Sequence, residues 1–125
     1  MNTKESVKNF NESNLTSAIM NCYEKPNYRV LIVVPKYIMP TNLIVIDYVS
    51  TLYPHERDKF KIRNDSIIFP NRSLIKAISQ NSTARGYRIH EVLLNDMSNV
   101  ELLQRLYPMI VDYDKEQEWW RETSL

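Results

Sequence analysis

One glycine, Gly86, stands in 125 residues, against an average usage of about 7%. A backbone loop that wraps a phosphate needs close approach and positive φ, which glycine alone adopts freely, so a phosphate cradle of the usual kind is excluded. The single cysteine, Cys22, rules out an internal disulfide, and His55 and His90 are the only histidines, which leaves no cluster with zinc spacing. No metal and no cofactor are expected. The longest apolar run, Val30–Val34, is far short of the ~20 residues of a membrane span. The opening MNTKESVKNFNES is polar throughout and carries no export signal. An intracellular protein without a membrane partner is expected.

What is present is an ordinary globular balance, 43% apolar and 25% charged, in a chain long enough to bury about two thirds of its unfolded surface as one domain. The net charge of +1 hides an asymmetry. Residues 57–90 hold eight Lys/Arg against two Asp/Glu, whereas residues 91–125 hold three against eight. The basic set, Arg57, Lys59, Lys61, Arg63, Arg72, Lys76, Arg85 and Arg88, is a polyanion footprint if the fold gathers it on one face, and a solvated surface otherwise. Opposite charges on one chain predict that the acidic tail lies over this basic stretch.

Residues 1–12 read as a polar arm. Leu15, Ala18, Ile19 and Cys22 recur at helical spacing until Pro26. The largely β-branched run Val30–Val34, closed by Pro35, fits a central parallel strand covered on both faces. Pro40-Thr41, with Thr41 as N-cap, opens a helix that ends before Pro54. Ile67–Phe69, the turn Pro70-Asn71 and Leu74–Ile78 read as a hairpin, and Glu91–Leu94 as a further strand. Ser98 to Glu101 forms a capping box ahead of Val100, Leu103 and Leu106. One α/β domain over residues 13–110 is expected, followed by an acidic tail, 111–125, that carries Trp119 and Trp120. Cys22 reads as a small apolar filler and His90 as a satisfied structural histidine.

The strand RVLIVVP (Arg29–Pro35), the helix, the hairpin IIFPNRSLI, the Arg85-Gly86 turn and the apolar strand closed by Asn95-Asp96 follow one another in a telling order. Over Asn9 to Leu106 this resembles the N-terminal ATPase domain of viral, phage-type large terminase subunits, degenerate and truncated. More loosely it is similar to RecA-like helicase cores. The resemblance implies a small RecA-like three-layer α/β core with parallel strands, flanking helices and a β-hairpin.

In that family a G-x-x-x-x-G-K-[ST] loop would precede the first helix. The equivalent stretch is Asn9 to Thr16, with Asn9 and Asn14 at the two glycines, Leu15 at the lysine and Thr16 retained, while Glu12 adds a negative charge. It reads as a ruined phosphate loop or as an ordinary polar arm. The family's later strand ends in a metal-binding Asp and a catalytic Glu. Here Asn95 and Asp96 stand in those places, and sliding the register to make Asp96 the metal ligand puts Met97 at the base. Either register leaves one function empty.

The resemblance thus implies a catalytically inactive, pseudo-ATPase viral protein tied to DNA packaging, acting on a protein partner or on nucleic acid, DNA in preference to RNA, and able to form oligomers. Host cytoplasm or the virion is the expected place. Candidate contacts are Lys61, Arg63, Arg72, Lys76, Arg85 and Arg88, with Arg85 open between a partner contact and a structural salt bridge. Trp119 and Trp120 are candidates for partner docking or for packing on their own domain. Two alternatives stand beside this: a divergent ATPase completed by a neighbouring subunit, and a virion or host-interaction protein that uses the fold as scaffold.

Overall fold

The computed structural model describes residues 6–35, 38–80 and 88–123, and the side chains of 38–42, 57 and 120–123 fall outside that description. The strands are β1 (Val7–Asn9), β2 (Arg29–Val34), β3 (Lys61–Ile62), β4 (Ser66–Ile68), β5 (Leu74–Ser79) and β6 (Glu91–Leu94). The helices are α1 (Glu12–Glu24), α2 (Ile38–Leu52), α3 (Val100–Leu106) and α4 (Tyr113–Thr123). One six-stranded sheet runs in the order β1-β6-β2-β5-β4-β3. Its first four strands are parallel, and β4 and β3 are antiparallel additions to β5. This is an α/β fold with a mixed, mostly parallel sheet between layers of helix.

The layers follow from the alternation of side chains along β2. Val30, Ile32 and Val34 point to the face where Leu15, Ala18, Ile19 and Cys22 of α1 and Val45 and Val49 of α2 close the core. Leu31 and Val33 point to the other face, where they meet Leu102 and Leu106 of α3 with Val92, Leu94 and Ile110. A strand covered on both sides has no polar position to spare, hence the unbroken apolar run. Each such fully buried side chain contributes about 1.5–3 kcal/mol. Ile32, with no exposed surface, sits at the centre, paired with Ala77 on one side and Leu93 on the other.

Several details differ from the sequence reading. Residues 7–9 of the expected polar arm form β1, because β6 offers a parallel edge; Val7 pairs with Val92 and is buried. The polar stretch after α2 contributes β3, which pairs with β4. The second helix starts at Ile38, so Thr41 is not its N-cap; Pro40 lies in the first turn, where its missing N–H is one that no helical carbonyl would accept. The capping box before α3 does not form. Asn99 is the N-cap and its side chain accepts from the Leu102 N–H at 3.1 Å. Val100 is 63% exposed while Leu102 takes the core position.

The hairpin turn is tied to the end of α1. Asn71 Nδ2 donates to the carbonyls of Cys22 and Tyr23 at 2.8 and 3.1 Å, and its Oδ1 accepts from the Ser73 N–H at 3.1 Å. Buried Ser73 donates through Oγ to Lys25 O at 2.6 Å and accepts from the Tyr28 N–H at 3.1 Å. Arg72, at φ 73°, and Asn27, at φ 60°, turn the backbone through the left-handed region to allow this meeting. The start of β5 is thereby locked beside the start of β2.

Candidate functional site

Two ends of the sheet carry the residues singled out above. At the carboxyl ends of the parallel strands, only Phe10 and Asn11 separate β1 from α1. Asn11 caps the helix, its Oδ1 accepting from the Asn14 N–H at 2.8 Å, and Asn14 Nδ2 donates to Asn9 O at 2.8 Å. The turn is therefore closed on itself. Leu15 is 2% exposed and points into the core under α1, and Thr16 is half-buried one residue on. A loop wide enough to wrap a phosphate would need the helix to begin at about residue 14, and it begins at Glu12.

Asn95 and Asp96 are exposed at the end of β6. Asp96 is engaged locally: Oδ1 accepts from the Ser98 hydroxyl and from the Ser98 N–H at 3.0 Å. Those bonds hold its carboxyl below the usual carboxylate range. Here Asp96 acts as a turn residue. A cavity of about 310 Å³ lies nearby, lined by Gln80, Asn99, Glu101, Leu102 and Arg105. Among the described residues, no three His, Cys, Asp or Glu side chains are grouped as a metal ion requires, and no helix is long and apolar enough to cross a membrane.

The amino-terminal end of the sheet is where charge gathers. His90 Nδ1 accepts from the Arg29 N–H at 2.9 Å, which places the ring proton on Nε2, 3.2 Å from Glu116 Oε1. Burial, and then the Arg29 guanidinium, push the imidazole below the usual histidine range. Burial alone would raise the Glu116 carboxyl, but the hydrogen bonds and charge of Arg29, with His90, draw it below its ordinary value. Arg29 Nε also donates to Arg88 O. His90 is thus a satisfied structural histidine that joins β2 to α4.

Beside it lies a second buried set. Glu91, 1% exposed, accepts from Tyr28 OH at 2.8 Å and Asn21 Nδ2 at 3.3 Å, with Lys8 Nζ 3.6 Å from its other oxygen. Burial and then Glu91 push the Tyr28 phenol and the Cys22 thiol up. Cys22 is an inert core filler. The Tyr28 ring stacks on His90 at 5.2 Å and meets Tyr113 edge-on at 5.4 Å, and Tyr113 OH donates to Pro26 O at 2.6 Å. The expected acidic tail is therefore a docked helix. Its anchor carboxylate reaches Arg29, outside the basic stretch 57–90.

The basic residues fall into two groups. Lys61 pairs with Ile68 and Ser66 with Lys76 across the β3-β4-β5 ribbon, on the face away from α1 and α2; Lys76 Nζ is 3.7 Å from Asp65. Exposed Arg63 follows β3, its N–H donating to Ser66 O. Arg72 and Arg88 instead stand ahead of β5 and β6, at the amino-terminal end. Arg88 lines a cavity of about 320 Å³ with Val111, Asp112, Lys115, Glu116 and Trp119, and Trp119 is 49% exposed. The fold thus brings Arg88 and Trp119 together. Arg85, Gly86 and the Trp120 side chain lie outside the described residues.

Arg29, Glu91 and Glu116 escaped the sequence reading. A charge heading the apolar strand EVLL was a signal for Glu91, whereas nothing local marks Glu116 among the other carboxylates of its segment. Comparison with models of known protein families, with characterised proteins and with solved structures finds no match to this chain.

Proposed function

We propose that this chain is a catalytically inactive, terminase-like module of the RecA-like kind whose work is binding, with nucleic acid as partner. The closed turn from β1 to α1 carries the reading. Asn11 and Asn14 spend their side chains on the backbone that would otherwise face a phosphate, and Leu15 is a core residue in the place of a lysine. The far strand supports it, because Asp96 is committed to Ser98 and Asn95 brings no charge. Viral origin and a role in DNA packaging rest on the resemblance of the motif order.

A second reading, a scaffold for a protein partner, is favoured by α2. It has no Lys or Arg, and it exposes the adjacent Leu43 at 55% and Ile44 at 42%, the kind of apolar surface that marks a protein contact when it is contiguous.

Calorimetric titration of the full chain with Mg-ATP tests the absence of nucleotide chemistry. No heat of binding and no phosphate release are expected. Micromolar binding would overturn the reading in favour of an active ATPase. Gel shifts at low salt with single-stranded and duplex DNA test the partner class, and retardation that fades steeply with salt is expected.

A further inference from the structure

Arg72 stands two residues ahead of β5, Arg29 is the first residue of β2, and Arg88 stands three residues ahead of β6. These strands are neighbours in the sheet, β6-β2-β5. At about 4.8 Å between strands, their three starts span roughly 10 Å. Two further cations extend the row. Lys25 follows α1, its Nζ 5.3 Å from the Tyr28 ring centre and 5.7 Å from that of Tyr113, and exposed Lys115 lies on α4.

Two of the carboxylates in this region are engaged, and a third, Glu24, is exposed beside Lys25 at the end of α1. Glu116 is held by Arg29, and Asp112 accepts from the Lys115 N–H at 3.1 Å at the start of α4. Lys25, Arg72, Arg88 and Lys115 form no ion pair among the described residues. At 3.6 residues per turn, Trp119 and Glu118 both fall one turn beyond Lys115 on its side of α4, while Asp114 lies further round the helix. The row ends in a groove lined by Arg88 and Lys115, by the engaged Asp112 and Glu116, and by Val111 and Trp119.

We infer that single-stranded nucleic acid lies across the amino-terminal end of the sheet, its backbone on Arg72, Lys25, Arg88 and Lys115 and one base against the indole of Trp119. The inference rests on the proposed reading of the chain as a nucleic-acid-binding module, and adds the surface and the strandedness. Cations tracking a backbone, with an aromatic face for a base, are what sequence-tolerant single-strand binding needs. A duplex keeps its base faces stacked and would have only the cations to use.

The test is fluorescence anisotropy of the full chain with a labelled oligothymidylate of about 20 nucleotides, a length covering the longest single-module sites, and with a duplex of equal length, across a salt series. The oligothymidylate should bind more tightly than the duplex. Trp119→Ala should weaken it about 5- to 150-fold, the loss of one base stack, with the salt slope kept. Arg72→Ala and Arg88→Ala should each lower the slope by about 0.7, the loss of one phosphate contact. The double variant Lys61→Ala/Arg63→Ala, on the other group, should bind as the wild type does. Unchanged thermal melts establish that each variant is folded.

Equal binding of duplex with no effect of Trp119→Ala would overturn the base contact. Loss of binding in the Lys61/Arg63 variant alone would move the surface to the β3 ribbon, sinking this inference while the binding-module reading stands. Failure to bind either nucleic acid would sink the inference and the partner class together, and the Mg-ATP titration would still judge the loss of nucleotide chemistry separately.

Discussion

Arg29 and Glu116, 87 residues apart, meet in a two-point ion pair, with Arg29 Nη2 2.9 Å from Oε1 and 3.0 Å from Oε2. The Glu116 side chain is 8% exposed and that of Arg29 30%. Together with the parallel bridge between Ile89 and Ile110 and the bond from Tyr113 OH to Pro26, the pair fastens α4 to the sheet.

Glu116→Ala should therefore leave a half-buried guanidinium without its partner and lower stability by about 2 kcal/mol, as charged hydrogen bonds of this kind do. The loss should be uneven. Hydrogen exchange should quicken most in α4, while the amides of β2 and β6 change only through the smaller global stability. A urea melt superimposable on wild type with α4 still protected would show that the apolar contacts hold the helix alone.

Stability should fall with acid, beginning near neutrality. An unfolded histidine takes up a proton below about pH 6.5, whereas His90, with its pKa lowered by burial and Arg29, resists it until lower pH. The unfolded state binds the extra proton, so stability is complete above about pH 6.5 and declines as pH falls through the lowered folded value. Glu116, also lowered, adds a second loss below the unfolded glutamate pKa of about 4.3. His90→Asn removes the first titration, and its melting temperature should be nearly flat between pH 7 and 5.5 where wild type declines. Parallel curves for the two proteins would assign the acid sensitivity elsewhere.

Placing at position 15 the lysine that the proposed phosphate-loop ancestry would call for should fail. Leu15 lies in the core between α1 and the sheet, so Leu15→Lys buries an ammonium and should cost several kcal/mol without conferring nucleotide affinity. Circular dichroism should report loss of the cooperative melt. A stable Leu15→Lys protein with measurable Mg-ATP binding would mean that the turn can open into a phosphate loop.

Ile32→Asp should unfold the chain. The side chain has no exposed surface and its partners on the two neighbouring strands, Ala77 and Leu93, are apolar, so an unpaired carboxylate there costs on the order of the whole stability of a small domain. A cooperative melt close to wild type would contradict the central place of β2.

What the sequence determined by itself is the part of the fold written in contiguous composition. The run Val30–Val34 is legible as a two-sided strand because five apolar residues in succession can be buried only between two layers. Ile67–Phe69 and Leu74–Ile78 are legible as a hairpin because Pro70-Asn71 breaks the chain between β-branched runs. Leu15, Ala18, Ile19 and Cys22 fall on one side of α1 because helical spacing is local. Even the error at α3 is local, since Ser98 and Asn99 are both good N-caps and the choice went to the residue whose neighbour, Asp96, did not already claim it.

Tertiary structure decided the rest. β1 and β3 are three and two residues long, too short to have a pattern of their own, and exist because β6 and β4 present unpaired backbone to them. The charged cluster is further from reach. That Glu116 among the acidic residues of its segment holds Arg29, and that Arg72 and Arg88 flank Arg29 while Lys61 and Lys76 go to another face, follows from the strand order β6-β2-β5-β4-β3. Strand order is a property of long-range pairing, where each contact is worth little until all are made, so no window of the sequence contains it.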